Sequence, residues 1–287
     1  MPYTAEISRN NPALIGFLID QSGSMSDKMA GTNDPKSDIC ARYIDAFFNR
    51  LLTKNTSGEN IMNRFEIFAI GYGGMDKDVT SALHGIDQNE MPITLQKLQQ
   101  SSTLIPRKKI VKKKVPDGAD GFIETTEEVE VSVPTWIEPK ADGWTPMNEA
   151  LTEAFHITSK WVDEHKSSYP PILINITDGM YNTEDPEPVS IDLRELETED
   201  GKILLFNIHI SDDSNNDPVS FPSRTNFSPP DDFAEKLFRM SSPLVDAMIE
   251  YGIKKDKPIS QGAVGFAYNA EFSDFIDFLD IGTRPAG

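Results

Sequence analysis

Ala13–Ser24 reads ALIGFLIDQSGS: an uncharged apolar run with one glycine, then a carboxylate, then a polar turn carrying two serines. A run that is continuously apolar, not alternating, is what a strand covered on both faces requires. Three further runs share this character: Phe65–Tyr72 (FEIFAIGY), Ile172–Thr177 (ILINIT) and Ile203–Ile210 (ILLFNIHI). Helical patterns lie between them. Ile39, Tyr43, Phe47 and Leu51, flanked by Ile44, Phe48 and Leu52, mark one face of a helix over Asp38–Leu52. Met147, Leu151, Ala154, Phe155 and Trp161 mark another, which opens at Pro146, where a missing N–H costs nothing, and runs to about His165. Val264–Tyr268 is expected as a further strand and Phe272–Leu279 as a closing helix. The alternation predicts an α/β protein: one domain over residues 1–287, built on a doubly wound, mostly parallel central sheet with helices on both faces.

The composition agrees with a folded chain. Of 287 residues, 38% are hydrophobic and 25% charged, enough apolar side chains for a full core. Lys and Arg number 27 against 46 Asp and Glu, a formal charge of −19. Such a body repels nucleic-acid backbones and anionic membranes, so neither is expected as a partner. The single cysteine, Cys40, rules out an intrachain disulfide framework and a cysteine-based zinc site. With no apolar stretch of membrane-span length and no signal-peptide pattern at the N-terminus, the expected location is the cytoplasm.

Residues 101–140 break the alternation. Their basic half (Arg107, Lys108, Lys109, Lys112, Lys113, Lys114) precedes a turn-rich Pro116–Gly121, and their acidic half (Glu124, Glu127, Glu128, Glu130) follows it. This reads as an inserted β-hairpin. Pairing positions whose numbers sum to 237 sets Arg107 opposite Glu130, Lys109 opposite Glu128 and Lys113 opposite Glu124, a self-neutralised ribbon. The other use of those lysines is an acidic partner, for which the cross-strand carboxylates compete. Ser211–Asp232, rich in proline and polar residues, is expected as a long surface loop.

The chemistry gathers at strand ends. The first strand runs into Asp20, Ser22 and Ser24, and Ile172–Thr177 runs into Asp178-Gly179. Gly143-Trp144-Thr145-Pro146 opens a helix and offers a third hydroxyl. In an open parallel sheet, ligands bind in the crevice beyond the carboxyl ends of strands. Two carboxylates and three hydroxyls are an all-oxygen set of the kind hard cations such as Mg²⁺ prefer. Gln21, Gly23, Trp144 and Gly179 are expected at the rim. A local reading is also available for Asp20, Ser22 and Ser24, since Asp and Ser favour turns and helix N-caps. His84, His156, His165 and His209 are scattered without paired spacing, which gives no histidine metal site or catalytic base.

The set Asp20-x-Ser22-x-Ser24, Thr145 and Thr177-Asp178-Gly179 resembles the metal-ion-dependent adhesion site of von Willebrand factor type A domains, over roughly residues 12–279. Within that family it resembles cytoplasmic bacterial members such as the tellurium-resistance-associated group. The resemblance implies a Rossmann-like fold and a Mg²⁺ (or Mn²⁺) ion bound by Ser22, Ser24 and Thr145, with Asp20 and Asp178 acting directly or through water. It further implies that a partner protein supplies an Asp or Glu to the metal, in a scaffold or adaptor without catalysis, within a bacterial stress-response or signalling complex. The alternative is a metal-dependent, phosphatase-like hydrolase using Asp20. Such enzymes place a second Asp two residues on as general acid, and here that position is Ser22, which cannot deliver a proton at neutral pH.

Overall fold

The fold comes from a computed structural model, which describes residues 3–29, 32–116, 122–210, 217–270, 278, 279 and 281. In chain order the elements are β1 (Ala13–Gln21), α1 (Lys36–Lys54), β2 (Phe65–Gly73), β3 (Asp78–Ser81), β4 (Ile93–Thr94) and α2 (Leu95–Gln100). Next come β5 (Thr103–Pro116), β6 (Phe122–Thr135), α3 (Met147–Glu164), β7 (Ile172–Thr177), α4 (Glu187–Glu195) and β8 (Leu204–His209). The chain closes with β9 (Val219–Ser220), α5 (Asp232–Met240), α6 (Asp246–Lys254) and β10 (Phe266–Tyr268).

The protein is mixed α/β, with six α-helices among the described residues and a central, mostly parallel sheet. The sheet order is β9-β10-β8-β7-β1-β2-β3, with β4 also paired to β2. The pairs β1/β2, β1/β7, β7/β8 and β8/β10 are parallel; β3, β4 and β9 join antiparallel. Every residue of β1, β7 and β8 is buried, so both faces of the central strands are covered, as their continuous apolar runs require. Gly16 makes the layer fit: a Cβ there would lie 2.2 Å from the Phe68 ring and 2.7 Å from a Leu173 methyl.

From β1 the chain turns to β2 on one side of the sheet, and only after the hairpin and α3 does it return to β7 on the other side. Strand order therefore reverses between β1 and β7, and the crevice of the fold opens beyond their C-terminal ends. Phe17, Phe48 and Trp136 pack edge to face beside β1, at 5.4 Å (Phe17–Phe48) and 6.0 Å (Phe48–Trp136) between ring centroids.

The observed hairpin differs from the expected one in register. Its ladder sums to 238, which places Lys108 opposite Glu130 and Ile110 opposite Glu128. A shift of one residue exchanges the faces of one strand relative to the other. Here it gathers Ile105, Val111, Ile123, Val129, Val131 and Val133 on one face. The ion pairs become diagonal, Lys108–Glu128 at 2.7 Å and Lys113–Glu127 at 3.3 Å. Because exposed pairs form equally well along the diagonal and each contributes about 1 kcal/mol or less, direct opposition of charges does not fix the register.

Other expectations are adjusted at the edges. α1 starts two residues earlier than the expected Asp38–Leu52 and ends two later. Within 211–232, Val219–Ser220 pairs with β10, while 211–216 lie outside the described residues. The expected closing helix falls mostly outside them as well; its described residues Phe278 and Leu279 are buried. Helices α4, α5 and α6 are additions to the expected pattern. For α5 the signal is present in the sequence: the Asp231 side chain caps the helix by accepting from the Ala234 amide, ahead of the buried stripe Phe233, Ala234, Leu237 and Phe238.

The base of the hairpin is tied to α1 by one carboxylate. Asp45 Oδ1 accepts the backbone amides of Trp136 (2.7 Å) and Ile137 (3.1 Å), and Trp136 Nε1 donates to the Leu98 carbonyl (2.6 Å). Burial raises the Asp45 carboxyl to about 6 against the pull of those two amides and of Arg107. A carboxyl that holds its proton more tightly in the folded state contributes stability at low pH, lost as pH rises through about 6. Between pH 7 and pH 5, wild type should therefore gain about 1 kcal/mol relative to Asp45→Asn in urea unfolding. Parallel pH profiles for the two proteins would refute this.

Candidate functional site

Residues from three parts of the chain meet at the crevice. Asp20, at the end of β1, is buried; its Oδ1 accepts the Ser22 amide (2.9 Å) and its Oδ2 the Thr177 hydroxyl (2.7 Å). Thr177 is the last residue of β7, so this bond clasps the two strand ends across the switch point. Ser22 Oγ and Ser24 Oγ lie 3.2 Å apart, and Ser24 Oγ donates to Asp178 Oδ1 at 2.8 Å. Asp20, Ser22, Ser24 and Asp178 thus form one hydrogen-bonded cluster. Although Ser22 precedes a short 3-10 turn, its side chain makes no capping bond, so the local N-cap reading does not account for it.

The loop before α3 closes the cluster's flank. Gly74 and Gly143 form a parallel bridge, with the Gly74 amide on the Asp142 carbonyl (2.7 Å) and the Trp144 amide on the Gly74 carbonyl (3.0 Å). The Gly23 amide donates to the Gly143 carbonyl (3.2 Å) and the Asp142 amide to that of Gln21 (2.8 Å). Gly143 has φ +67° and approaches Gly74 so closely that a Cβ would meet its carbonyl carbon at 2.1 Å. This stitch ties the loop to the end of β1 two residues ahead of Thr145, which is buried with its amide fixed by Asn182 Oδ1 at 2.7 Å.

The expected rim divides. Trp144 is 41% exposed, with Lys77 Nζ 5.2 Å from its ring centroid, and Gly23 and Gly179 are half-buried. Gln21 is buried rather than at the rim: its side chain packs over Gly71, with Nε2 3.5 Å from the Glu138 carbonyl. Asp185 and Glu187, past Asp178, are ion-paired to Lys236 and Arg239 of α5, each at 2.8 Å.

Sequence reasoning missed Lys36. Its ammonium lies 2.9 Å from Asp178 Oδ2, with side-chain exposures of 4% for the lysine and 0% for the aspartate. A lysine in the first turn of a helix sits at the positive end of the macrodipole, which is unfavourable without a nearby anion. That mismatch was the available clue. Two carboxylates and one ammonium leave one negative charge uncompensated. Burial, followed by the charge of Asp178, raises the Asp20 carboxyl to about 6, opposed by bonds from Ser22 and Thr177.

No protein-family model and no curated protein matches the chain. Among solved structures, the PilB minor pilin from Streptococcus sanguinis is similar with a TM-score of 0.32 and 12% identity. The match covers 59% of this chain and 30% of the pilin chain, so this chain matches less than a third of that protein's length. The resemblance to von Willebrand factor type A domains does not hold. No family model supports it, and among the described residues no three His, Cys, Asp or Glu group as metal ligands. Among the described residues, no helix is long and apolar enough to cross a membrane.

The Lys36–Asp178 pair should behave as a coupled unit. Lys36→Met and Asp178→Asn should each cost about 3–5 kcal/mol, because each strands a buried charge. The double variant should cost well below the sum. Additive losses in a urea double-mutant cycle would mean that the two side chains are independent.

Proposed function

We propose that this chain is a protein-binding module that captures its partner through a divalent cation, Mg²⁺ or Mn²⁺, held at the C-terminal edge of the sheet. The observation that carries the reading is the convergence of Asp20, Ser22, Ser24 and Asp178 in one cluster with uncompensated negative charge. Donors that are all oxygen, two of them carboxylates, suit a hard cation in kind. Thr145, buried two residues past the Gly74–Gly143 stitch, is the candidate for the further oxygen ligand. Lys36 Nζ already holds one oxygen of Asp178, so a bound cation must share or displace it.

Such a cation supplies an electrophilic centre with a coordination position left for an outside carboxylate, which makes an Asp or Glu of a partner protein the fitting ligand. Trp144, exposed at the rim, offers an aromatic contact beside it. Neither nucleic acid nor membrane suits a body carrying −19. A cytoplasmic setting suits the one buried thiol, Cys40, whose pKa burial raises.

Mn²⁺ serves as the probe. Titrating the protein into Mn²⁺ should remove the free-ion electron paramagnetic resonance signal, with Mg²⁺ competing. Ser24→Ala, at an exposed position, should weaken binding at least tenfold while leaving the melting temperature within a few degrees. Unaltered free-ion signal at millimolar protein would defeat the proposal.

A further inference from the structure

Lys36 is placed against two physical preferences. It is the first residue of α1, where the macrodipole disfavours a cation, and its side chain is enclosed, where an ammonium loses its hydration. Lysines are almost never so enclosed unless paired. The partner is Asp178, 2.9 Å away and itself shut off from solvent. Both oxygens of that carboxylate are taken: Oδ1 accepts from Ser24 Oγ at 2.8 Å and Oδ2 from Lys36 Nζ.

We propose that Lys36 is a tethered cation that competes with the divalent ion for Asp178: it sets the affinity of the crevice and leaves the carboxylate when the ion enters. This rests on the cation reading given above and adds what controls that site. An ion and an ammonium sharing one carboxylate are like charges held close together in a site removed from water, where Coulomb repulsion is far stronger than in bulk solvent. One of the two therefore has to yield.

Charge shows what the exchange achieves. Asp20, Asp178 and Lys36 together carry one uncompensated negative charge, which opposes the carboxylate of an approaching partner. With a dication in place of the ammonium the same two carboxylates are neutralised, and the opposition is gone. A displaced lysine also has somewhere to go. Its own amide donates to the Asp27 carbonyl (2.9 Å), which sets exposed Asp27 beside the start of α1, and Asp38 lies in the same first turn. The long, flexible stem of a lysine lets its head turn from the crevice toward these carboxylates.

The exchange is confined to the first turn of α1. Beyond it, Ile39, Cys40 and Ile44 are buried, and Asp45 holds the amides of Trp136 and Ile137 at the base of the β5–β6 hairpin, an arm of two 14-residue strands. The helix is thus pinned further along, and the lysine side chain can leave without α1 moving as a whole. A competing role and a structural one make opposite predictions. If the pair only held the crevice together, removing the lysine would loosen the ligands and weaken ion binding; if Lys36 competes, removing it strengthens binding.

Free-ion Mn²⁺ resonance measured for wild type, Lys36→Met, Lys36→Gln and Asp178→Asn tests the proposal, with circular dichroism to check folding. Lys36→Gln keeps a donor for Asp178 Oδ2 without the charge, and carries the test if Lys36→Met does not fold. Both Lys36 variants should bind Mn²⁺ about tenfold or more tightly than wild type, because the built-in competitor is gone. Mn²⁺ should also raise their melting temperatures by more than it raises that of wild type. Asp178→Asn, which removes the contested charge and strands the ammonium, should bind more weakly than wild type. Binding by Lys36→Gln but not by wild type would uphold the competition and show that the ammonium keeps the native crevice closed. Lys36 variants that bind no more tightly than a wild type that does bind would overturn the competition and leave the cation site standing. So would Lys36 variants that stay unfolded in millimolar Mn²⁺, since an ion replacing the ammonium restores its compensation. An unaltered free-ion signal for all four proteins would remove the cation site itself, and the competition with it.

Discussion

The pairing of β1 on both sides is the constraint on which the rest depends. Its nine buried residues run parallel to β2 in unbroken register, from Ala13 with Phe65 to Gln21 with Gly73, and to β7 through Ile15–Ile19. A strand buried on both faces and hydrogen-bonded on both edges has no freedom to slip: a shift by one residue would send Leu14, Phe17 and Leu18 to the wrong faces. The place where the chain escapes from that ladder is thereby fixed. Asp20 sits one residue short of its end, and the serines follow in the turn. The carboxylate is buried because it belongs to the ladder, and the hydroxyls are accessible to one another because they lie just past it.

A second constraint runs beneath the cluster. Tyr72 on β2 donates its hydroxyl to Asn175 Oδ1 on β7 (2.8 Å), Asn175 Nδ2 donates to Asn207 Oδ1 on β8 (3.0 Å), and Asn207 Nδ2 to Ser241 Oγ past α5 (2.9 Å). Tyr72, Asn175 and Asn207 are completely buried. Each polar atom in such a row loses its partner if any strand shifts, a loss on the order of 1–3 kcal/mol per group. The row links both sides of the switch point at the level just below Asp20 and Asp178. Apolar packing sets which residues are inside; this row sets how the strands align there. Its rigidity lets two carboxylates be held close together although their charges oppose it.

How far the sequence foretold this follows from the range of each interaction. The central strands were readable because both-sided burial writes itself as a continuous apolar run, and α1 and α3 because their stripes repeat at helical spacing. Asp20, Ser22, Ser24 and Asp178 were readable as a group because each lies at a strand end. Lys36 was not, because its partner is 142 residues away and no apolar stripe marks its burial. The hairpin register failed for a different reason. Counting opposite charges assumes that partners stand directly across, whereas exposed ion pairs adapt diagonally at little cost, so charge alone does not select the register. Family resemblance failed for a third: short motifs of Asp, Ser and Thr fix oxygen chemistry at a strand end without fixing ancestry.

The cluster and the arm are joined through α1. Lys36 opens this helix and is locked to Asp178, while Asp45, nine residues on, holds the amides at the arm's base. Cys40, Ile44, Phe47 and Phe48 are buried in the core, so the helix is seated along its length. A rigid helix with one charged end in the crevice and one buried carboxylate under the ribbon is a lever with two fixed contacts. Any ligand that draws Asp178 away from Lys36 removes the compensation for an ammonium at a helix N-terminus, where the macrodipole already disfavours it. The strain falls on the first turn of α1, the segment leading from the serine turn into the helix that anchors the arm. This one helix thus touches both the crevice, through Lys36, and the ribbon's anchorage, through Asp45.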